Sequence, residues 1–378
     1  MHLLYSRFLA VFVLCIGFVG CQRSTTVPDV ATAPVLGGIS SFSNPVLNED
    51  FPDPTVIKAT DGYYYAYGTQ TERKGKVLNI QVARSRDLVM WEHLGDALPQ
   101  KPAWADTTQN FWAPHVSFHD GRYYLYYSAE PNMRKYPVKG KEVNGLCLAV
   151  ATATSPAGPF IDSGQPMQCG PGFVNIDPMS FDDPATGKRL LYWGSGFGPI
   201  KVRELAPNRT TFAPGSTVID LVKADTSRTA DNYEKLVEGA WVVLRDGWYY
   251  LFYSGDNCCG PKAHYAVLVA RSRSATGPFQ KMAEATGRPN SAILVRNDQW
   301  LAPGHNSVIT DAAGHDWIAY HAINTQKTAT SGQAGSGGRV MLLDRLEYQD
   351  GWPRVDANGT PSASPVPAPV ISTTPAAK

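Results

Sequence analysis

Three carboxylates and two imidazoles stand at the heads of short apolar strands in this chain of 378 residues. They occur in Phe51-Pro52-Asp53-Pro54, Asn175-Ile176-Asp177-Pro178, Val237-Glu238-Gly239, Phe111-Trp112-Ala113-Pro114-His115 and Ala302-Pro303-Gly304-His305-Asn306. Taken singly, each has a plain structural account. Asp-Pro opens turns, because Asp caps its own backbone and Pro fixes φ; a strand-end Glu is usually solvated, and a lone His is usually a hydrogen-bonded core residue. Their recurrence at one phase of a repeat is what points to chemistry. A pair of carboxyls, one protonated and one ionised, hydrolyses a glycosidic bond: the first gives a proton to the leaving oxygen, the second works on the anomeric carbon or its water. A third carboxylate pushes the two pKa values apart, since a like charge raises the pKa of the intended acid.

The elements that must hold these residues also repeat. Within residues 236–255 an apolar run breaks at Asp246-Gly247 and resumes as Trp248-Tyr249-Tyr250-Leu251-Phe252-Tyr253, a strong hairpin signal. The cassette has relatives at Asp61-Gly62, Asp120-Gly121, Thr186-Gly187 and Ala313-Gly314, roughly 60 residues apart or a little more. Apolar strands precede the turns, at 54–58, 113–118, 178–181, 240–244 and 306–310, and a third strand follows. A fourth, outer strand is expected to carry Trp91, Phe160, Phe212, Phe279 and Trp352. Four antiparallel strands repeated five times predict an all-β, five-bladed β-propeller, with the inner strands lining a central channel. A β-sandwich also has many short strands, but it has no reason to repeat a Gly-aromatic-aromatic hairpin at near-constant period.

Composition suits a globular domain, with 43% hydrophobic and 18% charged residues. The 18 tyrosines favour strands and surfaces that stack flat ligands. A formal net charge of +1 provides no electrostatic footprint for nucleic acid, and a neutral polymer substrate fits. At the N-terminus, Arg7 followed by apolar residues 8–20 matches a signal segment too short to span a bilayer. Phe18-Val19-Gly20-Cys21 resembles a bacterial lipoprotein cleavage box, in which Cys21 would be acylated; an ordinary secretory signal is the alternative. The expected layout is therefore a signal peptide over 1–20 and a lipidated Cys with flexible tether over 21–43. A propeller over 44–356 and a disordered Pro/Ala/Ser/Thr tail over 357–378 complete it. The protein is expected to be an exported monomer of the cell envelope that meets the membrane only through its lipid. Export permits disulfides; of the three connectivities open to Cys147, Cys169, Cys258 and Cys259, pairing of Cys147 with Cys169, which fall in one repeat, is favoured.

Five short motifs in order carry a resemblance: Phe-Pro-Asp-Pro-Thr-Val-Ile-Lys at 51–58, Phe-Trp-Ala-Pro at 111–114, Ile-Asp-Pro at 176–178, Val-Glu-Gly-Ala at 237–240 and Ala-Pro-Gly-His-Asn-Ser-Val at 302–308. Over roughly residues 44–356 the chain resembles glycoside hydrolase family 43, the propeller family of arabinanases, α-L-arabinofuranosidases and β-xylosidases. The resemblance implies an inverting mechanism. In it Asp53 matches the general base, Glu238 the general acid, and Asp177 the residue that modulates and orients the acid. It further implies that His305 approaches a bound Ca²⁺ in the central channel, with no organic cofactor, and that Arg339 holds sugar hydroxyls. His115 stands where many members carry an acidic residue, which implies a changed subsite preference. Trp112, Trp193 and Trp300 are candidates for stacking on furanose faces, with inter-blade packing as their structural account.

The substrate implied is arabinan or an arabinose-bearing polysaccharide, from the stretches at 304–308 and 343–347. A β-xylosidase is the runner-up, disfavoured because the chain shows no second domain to close its pocket. A carbohydrate-binding surface lipoprotein without catalysis is the rival from another class. It would have no need of three carboxylates.

Overall fold

Five antiparallel sheets, laid down by consecutive stretches of chain, surround a central channel. The computed structural model describes residues 39–371 apart from 133–134, 197, 228–230, 232, 327–337 and 356–357. Blade 1 consists of Thr55–Lys58, Tyr64–Gly68, Gln81–Ser85 and Trp91–Asp96, and blade 2 of Trp112–His119, Arg122–Ala129, Gly145–Ala153 and Ile161–Asp162. Blade 3 runs through Met179–Asp182, Arg189–Trp193, Ile200–Glu204 and Ile219–Val222. Blade 4 has Val237–Arg245, Trp248–Asn257, His264–Ser272 and Gln280–Lys281, and blade 5 Trp300–Thr310, Asp316–Asn324, Arg339–Gln349 and Trp352–Val355. The predicted propeller, its hairpins and its inner strands are thus present. Of the outer-strand markers, Trp91 and Trp352 lie on the outer strands, Phe160 and Phe279 immediately precede them, and Phe212 bridges Leu205 ahead of the outer strand of blade 3, Ile219–Val222.

The repeated aromatics hold blade to blade. Tyr67 packs with Phe111 and Phe160 between blades 1 and 2, and Tyr126 with Leu191 and Trp193 between blades 2 and 3. A larger apolar cluster joins blades 3, 4 and 5. Their hydroxyls stay satisfied by donating to backbone carbonyls of the next blade. Tyr67 reaches Pro156 at 2.6 Å, Tyr126 reaches Arg209 at 2.8 Å, Tyr192 reaches Ala275 at 2.6 Å and Tyr250 reaches Gly351 at 2.8 Å. A buried aromatic with one polar tip suits this position better than Phe, which would leave those carbonyls without a partner.

Both chain ends of the domain close the ring between blades 5 and 1, which corrects the expected boundaries. Ser41–Phe42 pairs antiparallel with Val366–Pro367, and Phe42, Val366, Ala368 and Ile371 join the apolar cluster that holds Val56, Tyr64, Trp317 and Met341. Residues 41–43 are therefore part of the domain rather than tether, and residues 358–371 are ordered rather than a disordered tail. The reason lies in the few apolar residues interspersed in that Pro/Ala/Ser stretch, together with backbone bonds such as Ala312 N–H to Val370 O at 2.8 Å. The signal segment, Cys21 and the tether up to residue 38 lie outside the described residues, as do residues 372–378.

Cys147 and Cys169 face each other in register on neighbouring strands of blade 2 and are bonded, as favoured from the sequence. Cys258 is bonded to Cys259.

Candidate active site

Each inner strand has a kink at its head, either just before the strand or within its first three residues. Asp53, Ala113, Asp177, Gly239 and Ala302 occupy equivalent places and all have left-handed backbone, with φ of 56°, 46°, 60°, 62° and 50°. Asp adopts this conformation more readily than most residues because its short side chain bonds locally; elsewhere it stores strain of the sort that clusters at active sites. The kinks corrected one expectation about phase. Asp53 and Asp177 are themselves the kinked residues, whereas Glu238 comes one residue earlier in its blade, ahead of a register shift between Glu238 and Trp241. The two histidines are also out of phase with each other, His115 lying two residues past Ala113 and His305 three past Ala302.

Asp53, Asp177 and Glu238 nevertheless converge on a single cavity of about 440 Å³, together with Trp112, His305 and Arg339. Asp53 is buried. Its Oδ2 accepts a 2.6 Å hydrogen bond from Thr69 Oγ1, which in turn accepts the Ala113 N–H at 2.8 Å and so ties Phe-Trp-Ala-Pro to blade 1. Arg339 Nη1 donates to Oδ1 at 3.1 Å, and His305 Nδ1 lies 3.3 Å from the same oxygen. Burial by itself raises the Asp53 pKa, but the Arg339 and His305 charges outweigh it and hold the carboxyl well below the usual range. The Asp53 N–H lies 3.1 Å from His321 Nδ1, and the same nitrogen lies 3.2 Å from Asp53 Oδ1, so His321 is held against both the backbone and the carboxyl of Asp53. Burial lowers the His321 pKa to about 4, and the ring stacks parallel on Tyr265.

The other two carboxyls form a repelling pair. Asp177 Oδ2 accepts the Gly239 N–H at 3.0 Å, next to Glu238 in the chain, and the Asp177 N–H is held by Ser128 Oγ at 3.2 Å. Burial first, then the charges of Glu238 and Asp53, push the Asp177 pKa well above the usual range. Glu238 is oriented from both sides: Tyr265 OH donates to Oε1 and Ser195 Oγ to Oε2, each at 2.7 Å. Tyr265 comes this close because residue 304 is Gly. A Cβ there would lie 2.1 Å from the Tyr265 ring.

These shifts carry a stability consequence. The raised Asp177 pKa means a penalty that sets in as pH climbs past the unfolded value near ~3.9 and grows until the folded value is reached. Asp177→Asn keeps an acceptor for the Gly239 N–H and removes that penalty. The variant is expected to melt about 2 °C or more higher than wild type at pH 7, while kcat falls by about 10²-fold or more. Equal melting temperatures at pH 7 would contradict this account.

Several expected sugar contacts are displaced. His115 is buried below the site, packed on Trp241 at a ring separation of 5.3 Å and on Tyr126, with its pKa lowered to about 3 by burial. It does not line the cavity. Trp193 is fully buried and donates Nε1 to Asn175 Oδ1 at 3.2 Å, and Trp300 is fully buried in the cluster joining blades 3 to 5. Both pack between or within blades, because a wide apolar ring on an inward strand face gains most from burial there. Trp112 does line the cavity, stacked on Phe173 at 6.0 Å. Arg339 lines it too, committed to Asp53. Among the described residues no three His, Cys, Asp or Glu side chains form a metal cluster. The Asp53 oxygen nearest His305 is already shared with Arg339. One imidazole and a carboxylate oxygen shared with Arg339 are few protein ligands for Ca²⁺, so an ion beside His305 would draw most of its oxygen shell from water.

Sequence reasoning missed Tyr265, Ser195, Thr69 and His321. Tyr265 and His321 lie on a third and a second strand, and Thr69 and Ser195 just past the ends of second strands, whereas only the heads of the inner strands were in view.

A five-bladed propeller with three carboxyls around one channel-mouth cavity defines a class of sugar-cleaving enzymes. The chain belongs to glycosyl hydrolases family 43, whose family pattern matches residues 42–353, and it is accordingly a glycoside hydrolase. It is 27% identical over 318 residues to an extracellular endo-α-(1→5)-L-arabinanase of Bacillus subtilis, covering 81% of this chain and 88% of that protein. It is 26% identical to an extracellular exo-α-(1→5)-L-arabinofuranosidase of Cellvibrio japonicus, covering 81% of this chain and 86% of that one. The crystal structure of a thermostable family-43 glycoside hydrolase superposes with a TM-score of 0.69 at 27% identity, over 88% of this chain and all of that one.

Proposed function

We propose that this protein hydrolyses α-L-arabinofuranosidic linkages in arabinan or arabinose-bearing polysaccharide with inversion at the anomeric carbon. The observation that carries the roles is the opposite electrostatics of the carboxyls. Asp53 is held ionised by Arg339 and His305, whereas Asp177 and Glu238 crowd each other. Asp53 is the general base: it takes a proton from water as the water oxygen bonds to the anomeric carbon. On the opposite side Glu238 gives its proton to the glycosidic oxygen as the bond to that carbon breaks. Asp177 favours retention of a proton in the pair and, through the Gly239 N–H, sets the backbone from which Glu238 projects. The endo- and exo-acting arabinan enzymes among the relatives support the substrate class.

The test is incubation with linear 1,5-arabinan and, in parallel, with xylo-oligosaccharides. New reducing ends from arabinan support the proposal. Release from xylo-oligosaccharides alone would assign the β-xylosidase activity, and binding without release by wild type and Glu238→Ala alike would assign the non-catalytic role.

We further propose export with lipid anchoring at Cys21, supported by Arg7, the apolar run 8–20 and the Phe-Val-Gly-Cys box. Cys21→Ser is expected to move the protein from the membrane to the soluble envelope fraction; an unchanged membrane fraction would count against the anchor.

A further inference from the structure

The bond between Cys258 and Cys259 does little for the fold. A cross-link stabilises by restricting the unfolded chain, the more so the longer the loop it closes, and neighbouring residues close almost none. Cys147–Cys169, separated by 22 residues across two strands, is the structural bridge. Cys258 and Cys259 instead line the same cavity as Asp53 and Glu238. Their place in blade 4 is informative. Glu238 pairs in register with Ser254, and the two cysteines follow Ser254 by four and five residues, just past the end of that strand. The disulfide therefore stands on the blade of the proton donor.

The loop that carries it is firmly braced. Asn257 Nδ2 donates to Cys259 O at 3.1 Å and to Lys262 O at 2.9 Å, and Asp256 N–H donates to Leu236 O at 3.0 Å. Asp256 Oδ2 lies 2.7 Å from His264 Nδ1, and the His264 ring stacks on Tyr233 at 4.3 Å. Trp112 and Phe173 line the same cavity, stacked on each other, and Phe173 is 54% exposed, an apolar ring left open to solvent.

We propose that the Cys258–Cys259 disulfide is a wall of the leaving-group subsite, packing its two sulfurs against the C–H face of the sugar that departs with the glycosidic oxygen. This rests on the reading of Glu238 as proton donor. The donor must reach the glycosidic oxygen, so the sugar bearing that oxygen lies against the surface beside Glu238. The oxidised pair offers no hydrogen-bond donor and two polarisable atoms, which suits dispersion contact with apolar C–H groups. Two thiols, or two hydroxyls in their place, would lose the fixed flat surface and present donors to it.

The test compares wild type, Cys258→Ser/Cys259→Ser, and wild type reduced by dithiothreitol, which supplies two electrons and two protons as it becomes its own cyclic disulfide. Alkylation and mass mapping report which bridge opened, and circular dichroism reports the fold. Two substrates are used: arabinotriose, whose leaving group is a sugar, and α-L-arabinofuranosyl fluoride, whose leaving group is one atom and does not touch the wall. For both altered forms KM for arabinotriose is expected to rise about five- to tenfold, equivalent to about 1 kcal/mol of lost contact. Turnover of the fluoride is expected to stay within about twofold of wild type. Unchanged arabinotriose kinetics overturn the inference, as does an equal loss on both substrates. If wild type cleaves xylo- but not arabino-oligosaccharides, the substrate reading fails. The same comparison with xylotriose and xylosyl fluoride then decides the wall independently.

Discussion

Glu238→Gln is expected to lower kcat on arabino-oligosaccharides by about 10²–10⁴-fold, the usual span for loss of general acid catalysis, with KM little changed. Gln is isosteric, so the contacts with Tyr265 and Ser195 that orient residue 238 persist in altered polarity and the fold is retained. What disappears is the proton for the leaving oxygen. The loss should therefore depend on the leaving group: full for a sugar alkoxide, and much smaller for fluoride, which departs with little need of a proton. Parallel kinetics on arabinotriose and arabinofuranosyl fluoride measure this. Equal losses on both would remove Glu238 from the role of acid.

Asp53→Asn is expected to reduce kcat by at least about 10³-fold on both substrates, since activation of water is needed whatever leaves. That contrast with Glu238→Gln separates base from acid. Asp53→Asn also has a structural cost that Glu238→Gln lacks. Asp53 is the carboxylate against which the buried Arg339 guanidinium is paired, and leaving a buried charge without its partner costs about 3–5 kcal/mol. A lower Tm than wild type is expected at pH 7. Because the Asp53 pKa is depressed in the fold, its contribution to stability is present above the ordinary carboxylate range and is lost as pH falls through the lower folded value. The stability gap between wild type and Asp53→Asn should accordingly narrow as pH drops below about 4. A gap that is constant down to pH 2 would mean that Asp53 is not held ionised by its neighbours.

The propeller was legible because its evidence is redundant: five Gly-containing hairpins and five apolar inner strands at one period. The three carboxyls that line the cavity were legible for the same reason, although Glu238 proved to be one residue out of phase with Asp53 and Asp177. Residue type alone did not separate Trp112, which faces the cavity, from Trp193 and Trp300, which are buried in packing. Choosing between those fates requires knowing which strand face meets the neighbouring blade. His115 was misplaced for a similar reason, two residues past the kink being enough to turn it into the core. Tyr265 and Ser195 left no trace in the sequence as site residues, since each resembles the many Tyr and Ser of the repeat. The ordered tail was missed because composition averages out the few apolar residues, Val366 and Ile371 among them, that fasten it.

The central claim is inversion by Asp53 and Glu238 across one cavity, and the configuration of the first product tests it most directly. Proton NMR during the first minutes of arabinotriose hydrolysis, faster than mutarotation, should show the β-anomer of the new reducing end appearing before the α-anomer. The α-anomer appearing first would signify retention through a covalent intermediate and would contradict the account.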